Sequence, residues 1–282
     1  MGTPFLTFVP PPGLTLRGFD RLLPRGAQPS VPPAFVDAMA VRLAVFVEEQ
    51  GVPPDNEFDD DDPRSCHWVA YASVNEVVQH EEVDAATGAV LRPRRSETTS
   101  KPIGTVRLVP FPHPPHPTPG AAYVIRDGEF VLLGAHPSAP AADRAAVAAA
   151  QEGPAASDRA TSLHDGKEPY VKFGRLAVLK EFRGHKIGRL LVEGALAWLR
   201  ANPSYFNPKI AEVGLERLGI DAASGIPEFG GLVCAHAQEQ AVRAWERMGF
   251  SVDSAMGRWW EEDIAHVGMF LRLDVALEPP RI

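Results

Sequence analysis

Cysteine is scarce: Cys66 and Cys234 are the two among 282 residues. They stand alone, without the paired spacing of a zinc ribbon or redox motif, so the chain reads as a reduced, cytoplasmic protein rather than a disulfide framework. Long apolar runs are missing too. None approaches the ~18 residues that a membrane span requires, so no membrane partner is expected. The opening MGTPFLTFVPPPG has no basic region followed by an apolar core, so no secretory signal is expected. Gly2 invites a myristoylation reading, but Leu6 stands where Ser or Thr is wanted. Positive charge is in short supply: 28 Lys and Arg against 36 Asp and Glu give a formal charge of -8. That balance argues lightly against general nucleic-acid binding and is compatible with a cationic amine. There is no internal repeat.

What is present is ordinary for a soluble globular chain, 45% hydrophobic. A helix is expected over Ala34–Gln50, where Phe35, Met39, Leu43, Phe46 and Gln50 recur at three- and four-residue steps before Pro53 and Pro54. Strands are expected near Leu14–Leu23 and over His67–Val74, Ile103–Val109, Tyr170–Leu179 and Gly231–His236. Others fall near Phe250 and over His266–Leu273. Helices are expected over Arg189–Arg200 and Gln238–Met248, and Asp143–Gln151 is alanine-rich enough for a short one. Strands alternating with helices point to a mixed α/β sheet. The run PFPHPPHPTPG, residues 110–120, cannot be helix or central strand. The chain reads as a single domain, 1–282, with insertions near 75–100, 110–169 and 201–230. The first of these is a hairpin extension or loop, and the second is mostly a long, partly mobile loop.

The most informative segment is Arg183-Gly184-His185-Lys186-Ile187-Gly188, between the strand YVKFGRLAVL and the helix RLLVEGALAWLR. Strand, basic glycine turn and helix start make a phosphate cradle. Glycine lets backbone approach the ligand, and the helix N-terminus favours an anion. Arg183, Lys186 and Arg189 add charge. The turn is neither a Walker loop nor a Rossmann turn. The bland alternative is a basic helix start after a strand.

The turn resembles Arg/Gln-x-x-Gly-x-Gly/Ala of the GCN5-related N-acetyltransferases. Arg183 takes the first position, His185 or Lys186 falls where glycine is usual, and Gly188 is last; the middle glycine is displaced to Gly184. VRLAVFVEEQGVPPDNEFD (41–59) with His67, and EEDIAHVGM (261–269), resemble patterns of the ElaA/YjcF-like subgroup. AVRAWERMGF (241–250) resembles the superfamily's helix ending in Tyr-Glu-Lys-x-Gly-Phe. The likeness covers roughly residues 34–73, 101–111, 170–200 and 231–273.

The resemblance implies a mixed, mostly antiparallel sheet flanked by helices, with large loop insertions. It implies an N-acetyltransferase moving an acetyl group from acetyl-CoA to a small-molecule primary amine by direct attack. The pyrophosphate would sit on Arg183, Gly184, His185, Lys186, Ile187, Gly188 and Arg189, and the pantetheine arm on backbone groups of Leu176, Ala177 and Val178. Those three side chains read equally as sheet core. Glu49, at the expected helix end, is a candidate base or amine-binding group with a raised pKa, or else a solvated carboxylate. His236, near a strand end, is a candidate proton shuttle or a structural histidine. Trp245 replaces the tyrosine that often serves as acid, and its indole cannot act as one, so it is expected to pack.

Asp55–Asp62, DNEFDDDD, lacks an EF-hand pattern and reads as a solvated acidic loop, with Glu57 and Asp59 expected to point inward. His113, His116 and His136 show no ligand spacing, and no metal is expected. A homo-oligomer is left open. Two competing classes remain: a non-catalytic acetyl-CoA-binding or interaction module, with the proline-rich stretch as docking surface, and a relative of the acyl-homoserine-lactone synthases.

Overall fold

The computed structural model describes residues 3–84, 87–151, 158–208 and 227–276. In chain order the strands and helices are β1 (Phe5–Val9), α1 (Pro33–Arg42), β2 (Cys66–Gln79), β3 (Glu82–Val83), β4 (Val90–Arg92) and β5 (Arg95–Val109). Then come β6 (Ala121–Arg126), β7 (Glu129–Ala135), α2 (Ala141–Gln151), β8 (Tyr170–Val178) and α3 (Ile187–Ala201). The last are β9 (Leu232–Gln238), α4 (Val242–Glu246), β10 (Ser251–Val252), β11 (Arg258–Glu261) and β12 (Ile264–Arg272). Ten strands form one sheet in the order β1-β2-β5-β8-β9-β12-β11-β6-β7, with β10 beside β12. Among the described residues, only β8 with β9 and β11 with β6 run parallel. This is the mixed, mostly antiparallel sheet flanked by helices that the sequence led one to expect. No helix among the described residues is long and apolar enough to cross a membrane.

Periodicity explains the main packing. Ile187, Leu191, Val192, Ala195, Leu196 and Leu199 form one buried stripe of α3. The stripe lies against Trp68, Ile103, Val106 and Phe173 of the sheet. The expected 34–50 helix starts as α1 but widens to π-type winding over Leu43–Glu49, where Gln50 N–H reaches Val45 O.

Some expectations are corrected. Leu14–Leu23 holds no strand: Gly13–Gly18 is a 3-10 turn. The first strand lies earlier, at Phe5–Val9, where Phe5 stacks on Tyr71 of β2. Residues 75–100 prolong the β2–β5 hairpin as far as Gln79 opposite Arg95. The stretch 110–169 is more regular than expected, because β6 and β7 make a hairpin that joins the sheet through β11. Its turn, Asp127-Gly128, has both residues left-handed (φ 53° and 86°), the pair a two-residue hairpin turn wants. Of the expected insertion at 201–230, residues 209–226 lie outside the described residues.

The acidic run is only partly solvated. Asp55 and Asp60 are exposed, but Glu57, Asp59 and Asp62 are buried. They meet three arginines. Arg42 Nε donates to Glu57 Oε1 (2.6 Å) and its Nη1 to Asp62 Oδ1 (2.6 Å). Arg107 Nη1 donates to Asp59 Oδ1 (2.5 Å) and Asp62 Oδ1 (2.9 Å). Arg175 donates to Glu57 Oε1 (3.1 Å) and Asp59 Oδ2 (2.9 Å). Burial alone would raise the Asp62 carboxyl, but Arg42 and Arg107 hold it well below the carboxylate range. His67 donates to Asp62 O (3.1 Å), and burial pushes it down to about 4, so it is neutral.

Asp62→Asn keeps the shape and strips one charge from a buried network, leaving Arg42 and Arg107 under-compensated. Urea unfolding should show a loss of about 3–5 kcal/mol; a loss under ~1 kcal/mol would show that the network does not hold this part of the fold together. In the wild type, the stability supplied by this depressed carboxyl is present above the unfolded pKa of ~3.9 and is lost as pH falls below it.

Candidate functional site

Strands β8 and β9 pair in parallel for only four registers, from Tyr170 opposite Leu232 to Phe173 opposite Ala235. Beyond these they part. On its other edge β8 meets β5 with Ala177 opposite Thr105 and Gly174 opposite Arg107, so Arg175 and Leu176 together face Val106 alone. This is a bulge, which bends the strand that carries it. Arg175 is left-handed (φ 52°), a conformation costing a non-glycine residue roughly 1–2 kcal/mol. Its ion pairs with Glu57 and Asp59 hold it there. Meanwhile β9 follows β12 along its whole length, Leu232 to Gln238. One strand bulges, the other keeps an unbroken register with β12, and a V opens between them.

A cavity of about 180 Å³ fills the V. Gly174, Arg175, Leu176 and Lys172 line it from β8, His236 and Gln238 from β9, and Phe46 and Gln50 from the end of the first helix. Leu179 gives its N–H to Ile103 O on the β5 side (2.9 Å). By strand alternation, Val178 turns its backbone groups to the open edge. Val178 O accepts from Arg183 Nε (2.9 Å), which ties the strand end to the basic turn.

In that turn Gly184 and Lys186 are left-handed, φ 82° and 62°. Lys186 thus adopts the backbone that glycine takes freely, at the place where glycine is usual in the motif. Arg183, Gly184, His185, Lys186 and Arg189 are exposed. The first intrahelical bond of α3 runs from Leu190 N–H to Lys186 O. The N–H groups of Ile187, Gly188 and Arg189 therefore have no helical acceptor. A Cβ on Gly188 would come no closer than 3.8 Å to Val178, so methyl size fits and larger groups would cover those N–H groups.

His236 is the polar centre of the V. Its Nδ1 lies 3.1 Å from Glu261 Oε1, which also accepts from Trp259 Nε1 (2.7 Å). An ionised carboxylate only accepts, so the ring proton is on Nδ1 and the Nε2 lone pair is free. Nε2 is buried with no partner among the described residues. Burial lowers the pKa of His236 and the Glu261 contact restores part of it, so the ring is neutral at neutral pH. Burial opposes ionisation of Glu261, but His266, His236 and Trp259 outweigh it and hold the carboxyl below its usual range. Trp245 is buried, packed on Phe173 and Phe250 at centroid distances of 5.9 and 4.9 Å.

Glu49 lies elsewhere. It grips Arg183 through both oxygens, Oε1 to Nη1 at 2.5 Å and Oε2 to Nη2 at 2.7 Å. The Arg183 hydrogen bonds hold its carboxyl below the ordinary range, opposite to the raised pKa expected of a buried base. The structure thus brings His236 and Leu176 to one cavity, with Ala177 and Val178 following on β8 and leading to the turn. It places Glu49 at the turn rather than beside His236. Glu261, Trp259 and Arg175 were not foreseen. Glu261 meets His236 because their strands flank β12 on opposite sides, a proximity no local sequence spacing encodes.

No family model matches the chain, and no curated protein does. Among solved structures it is similar to a protein of Lactobacillus plantarum provisionally assigned as an N-acetyltransferase, at 19% identity and a TM-score of 0.44 over 96% of this chain and 99% of that one. It is also similar to ElaA of Escherichia coli, at 14% and 0.41 over 95% and 99%. An acyl-CoA N-acyltransferase of Pseudomonas aeruginosa matches at 16% and 0.37, also over 95% and 99%.

Glu49→Gln removes the anion that grips Arg183. If Glu49 positions that arginine, and the turn takes the acetyl-CoA proposed below, the variant should change affinity for acetyl-CoA severalfold, measured by calorimetry, and leave the pH profile of any turnover unmoved. An altered acidic limb with unchanged affinity would return Glu49 to the role of base.

Proposed function

We propose that this protein is an acyl-CoA-dependent N-acyltransferase that moves an acetyl group from acetyl-CoA to a primary amine by direct attack on the thioester. The observation that carries the reading is the parting of β8 from β9 beside a neutral His236 whose Nε2 has no partner among the described residues, with an anion-seeking turn at the end of the bent strand.

In this reading the free N–H groups at the start of α3 and the charges of Lys186 and Arg183 take the pyrophosphate. The open edge of β8 from Leu176 to Val178 holds the pantetheine arm by backbone hydrogen bonds. That edge directs the thioester into the V, where backbone N–H groups stabilise the developing oxyanion. His236 Nε2 takes the proton of the attacking amine, while Glu261 fixes the other ring nitrogen and stabilises the imidazolium. No tyrosine lines the V among the described residues. None is required: a thiol of pKa about 8.5 leaves tolerably as thiolate near neutrality, and Trp245 serves as packing.

The decisive test is amine-dependent release of CoA thiol across an amine panel. His236→Asn should lower kcat by roughly 10²–10⁴-fold with acetyl-CoA affinity kept. The wild-type profile should fall on the acid side with an apparent pKa below the ordinary ~6.5 of histidine, because the shift of His236 is downward. Binding of acetyl-CoA with no release for any amine would replace the enzyme with a non-catalytic binding module.

The turn is tested separately. Gly188→Leu covers the α3 N-terminus and should weaken acetyl-CoA binding more than tenfold, about 1.4 kcal/mol. Unchanged affinity in the folded variant would remove the pyrophosphate from this turn.

A further inference from the structure

Away from the V, at the other end of β8, three side chains from two separate loops converge. His116 comes from the proline-rich run, and Asp158 and His164 from the segment that leads into β8. Both histidines are buried. His116 Nε2 lies 2.8 Å from His164 Nδ1. Asp158 Oδ2 lies 3.6 Å from the first and 3.9 Å from the second. We propose that these three residues bind a divalent transition metal, Zn²⁺, which staples the proline-rich run to the base of β8.

The donor geometry carries the argument. A point in the plane of the three atoms lies about 2.0 Å from each, the length of a zinc bond to nitrogen or carboxylate oxygen, and a side-chain shift of a few tenths of an ångström would seat a tetrahedral ion on one side of that plane, facing a fourth ligand. Tetrahedral ligands at that bond length stand about 3.3 Å apart, within the span of the observed edges. A facial octahedral set, as for a two-histidine, one-carboxylate iron, would need edges of about 3.0 Å, and two of the three here are wider.

The surroundings orient these donors. His164 Nε2 is 2.9 Å from Glu168 O, a carbonyl that can only accept, so that nitrogen carries the proton and Nδ1 offers its lone pair. Asp158 Oδ1 is pinned by the N–H groups of His116 (2.9 Å) and Arg159 (3.0 Å). That leaves Oδ2 facing the two imidazoles. Tyr170 and Phe270 wall the site with rings: His116 stacks on Tyr170 at 5.5 Å and His164 on Phe270 at 6.0 Å. A shared proton between the imidazoles would account for their 2.8 Å contact. It would not account for a carboxylate oxygen brought beside both of them. His116 Nδ1 has no partner among the described residues with or without the ion. A cleft lined by His113, Asp158, His164 and Tyr170 leads to the site and leaves room for water as a fourth ligand.

The test uses the full chain without an affinity tag. Elemental analysis after gel filtration should find about one zinc per chain. After stripping with a chelator, back-titration with Zn²⁺ should restore one equivalent and raise Tm by about 3 °C or more. Replacing both histidines, His116→Gln with His164→Asn, keeps hydrogen-bonding atoms near the two positions and should abolish uptake. Co²⁺ in the stripped wild type should give the intense visible bands of a tetrahedral site. Failure of the stripped, folded wild type to take up Zn²⁺ overturns the proposal, as does wild-type uptake by the double variant. Retention of iron in preference to zinc, or weak octahedral Co²⁺ bands, overturns the zinc assignment. None of these readouts depends on acyl transfer.

Discussion

The parting of β8 from β9 depends on a buried ion network. Arg42 from α1, Arg107 from β5 and Arg175 from β8 face Glu57, Asp59 and Asp62 from one loop, three charges against three. Two of these carboxylates hold Arg175 where its backbone is left-handed. That residue makes the bulge, the bulge bends β8, and the bend opens the V. The polar geometry of a loop more than a hundred residues away thus sets the shape of the sheet's central opening.

Such a network is a poor source of net stability, since desolvating six charges offsets most of their attraction. Its value is geometric. Each guanidinium has a planar fork that accepts few arrangements, and Asp62 is shared by Arg42 and Arg107 while Asp59 is shared by Arg107 and Arg175. A hydrophobic cluster of equal volume would tolerate sliding between the helix, the loop and the two strands. The shared carboxylates do not, and the bend in β8 inherits their rigidity.

What the sequence made legible follows from the range over which each signal acts. The stripe of α3 is local, so its burial could be read from spacing. The turn at 183–188 is also local, and its departure from the usual glycine pattern now has a cause: Lys186 adopts the left-handed backbone that glycine would supply. The Asp127-Gly128 turn is equally local, but it follows a proline-dominated run that by itself argues against regular structure there. The pairs that make up the proposed site are not local. Glu261 reaches His236 across β12, and the acids of a run that looked solvated meet arginines from three elements. His116 meets His164 only because two loops fold over the same end of β8. Glu49 illustrates the reverse: its place at a helix end was legible, but its partner, Arg183, was not, and the partner reverses the direction of its pKa.

The charges of the basic turn are less available than a count suggests. Arg183 is held by Glu49, and Arg189 Nε lies 2.7 Å from Glu193. Both pairs are exposed and therefore weak and exchangeable. An arriving anion must compete with Glu49 for Arg183, but it finds the N–H groups of Ile187, Gly188 and Arg189 already oriented and without helical acceptors. In the proposed reading, recognition begins with these fixed backbone donors, and Arg183 follows by exchanging one anion for another. On that order, small residues and a helix start would matter at this turn more than its formal charge. It also fits a chain of net charge -8: carboxylates that occupy the arginines before the ligand arrives keep the turn from being an indiscriminate anion trap.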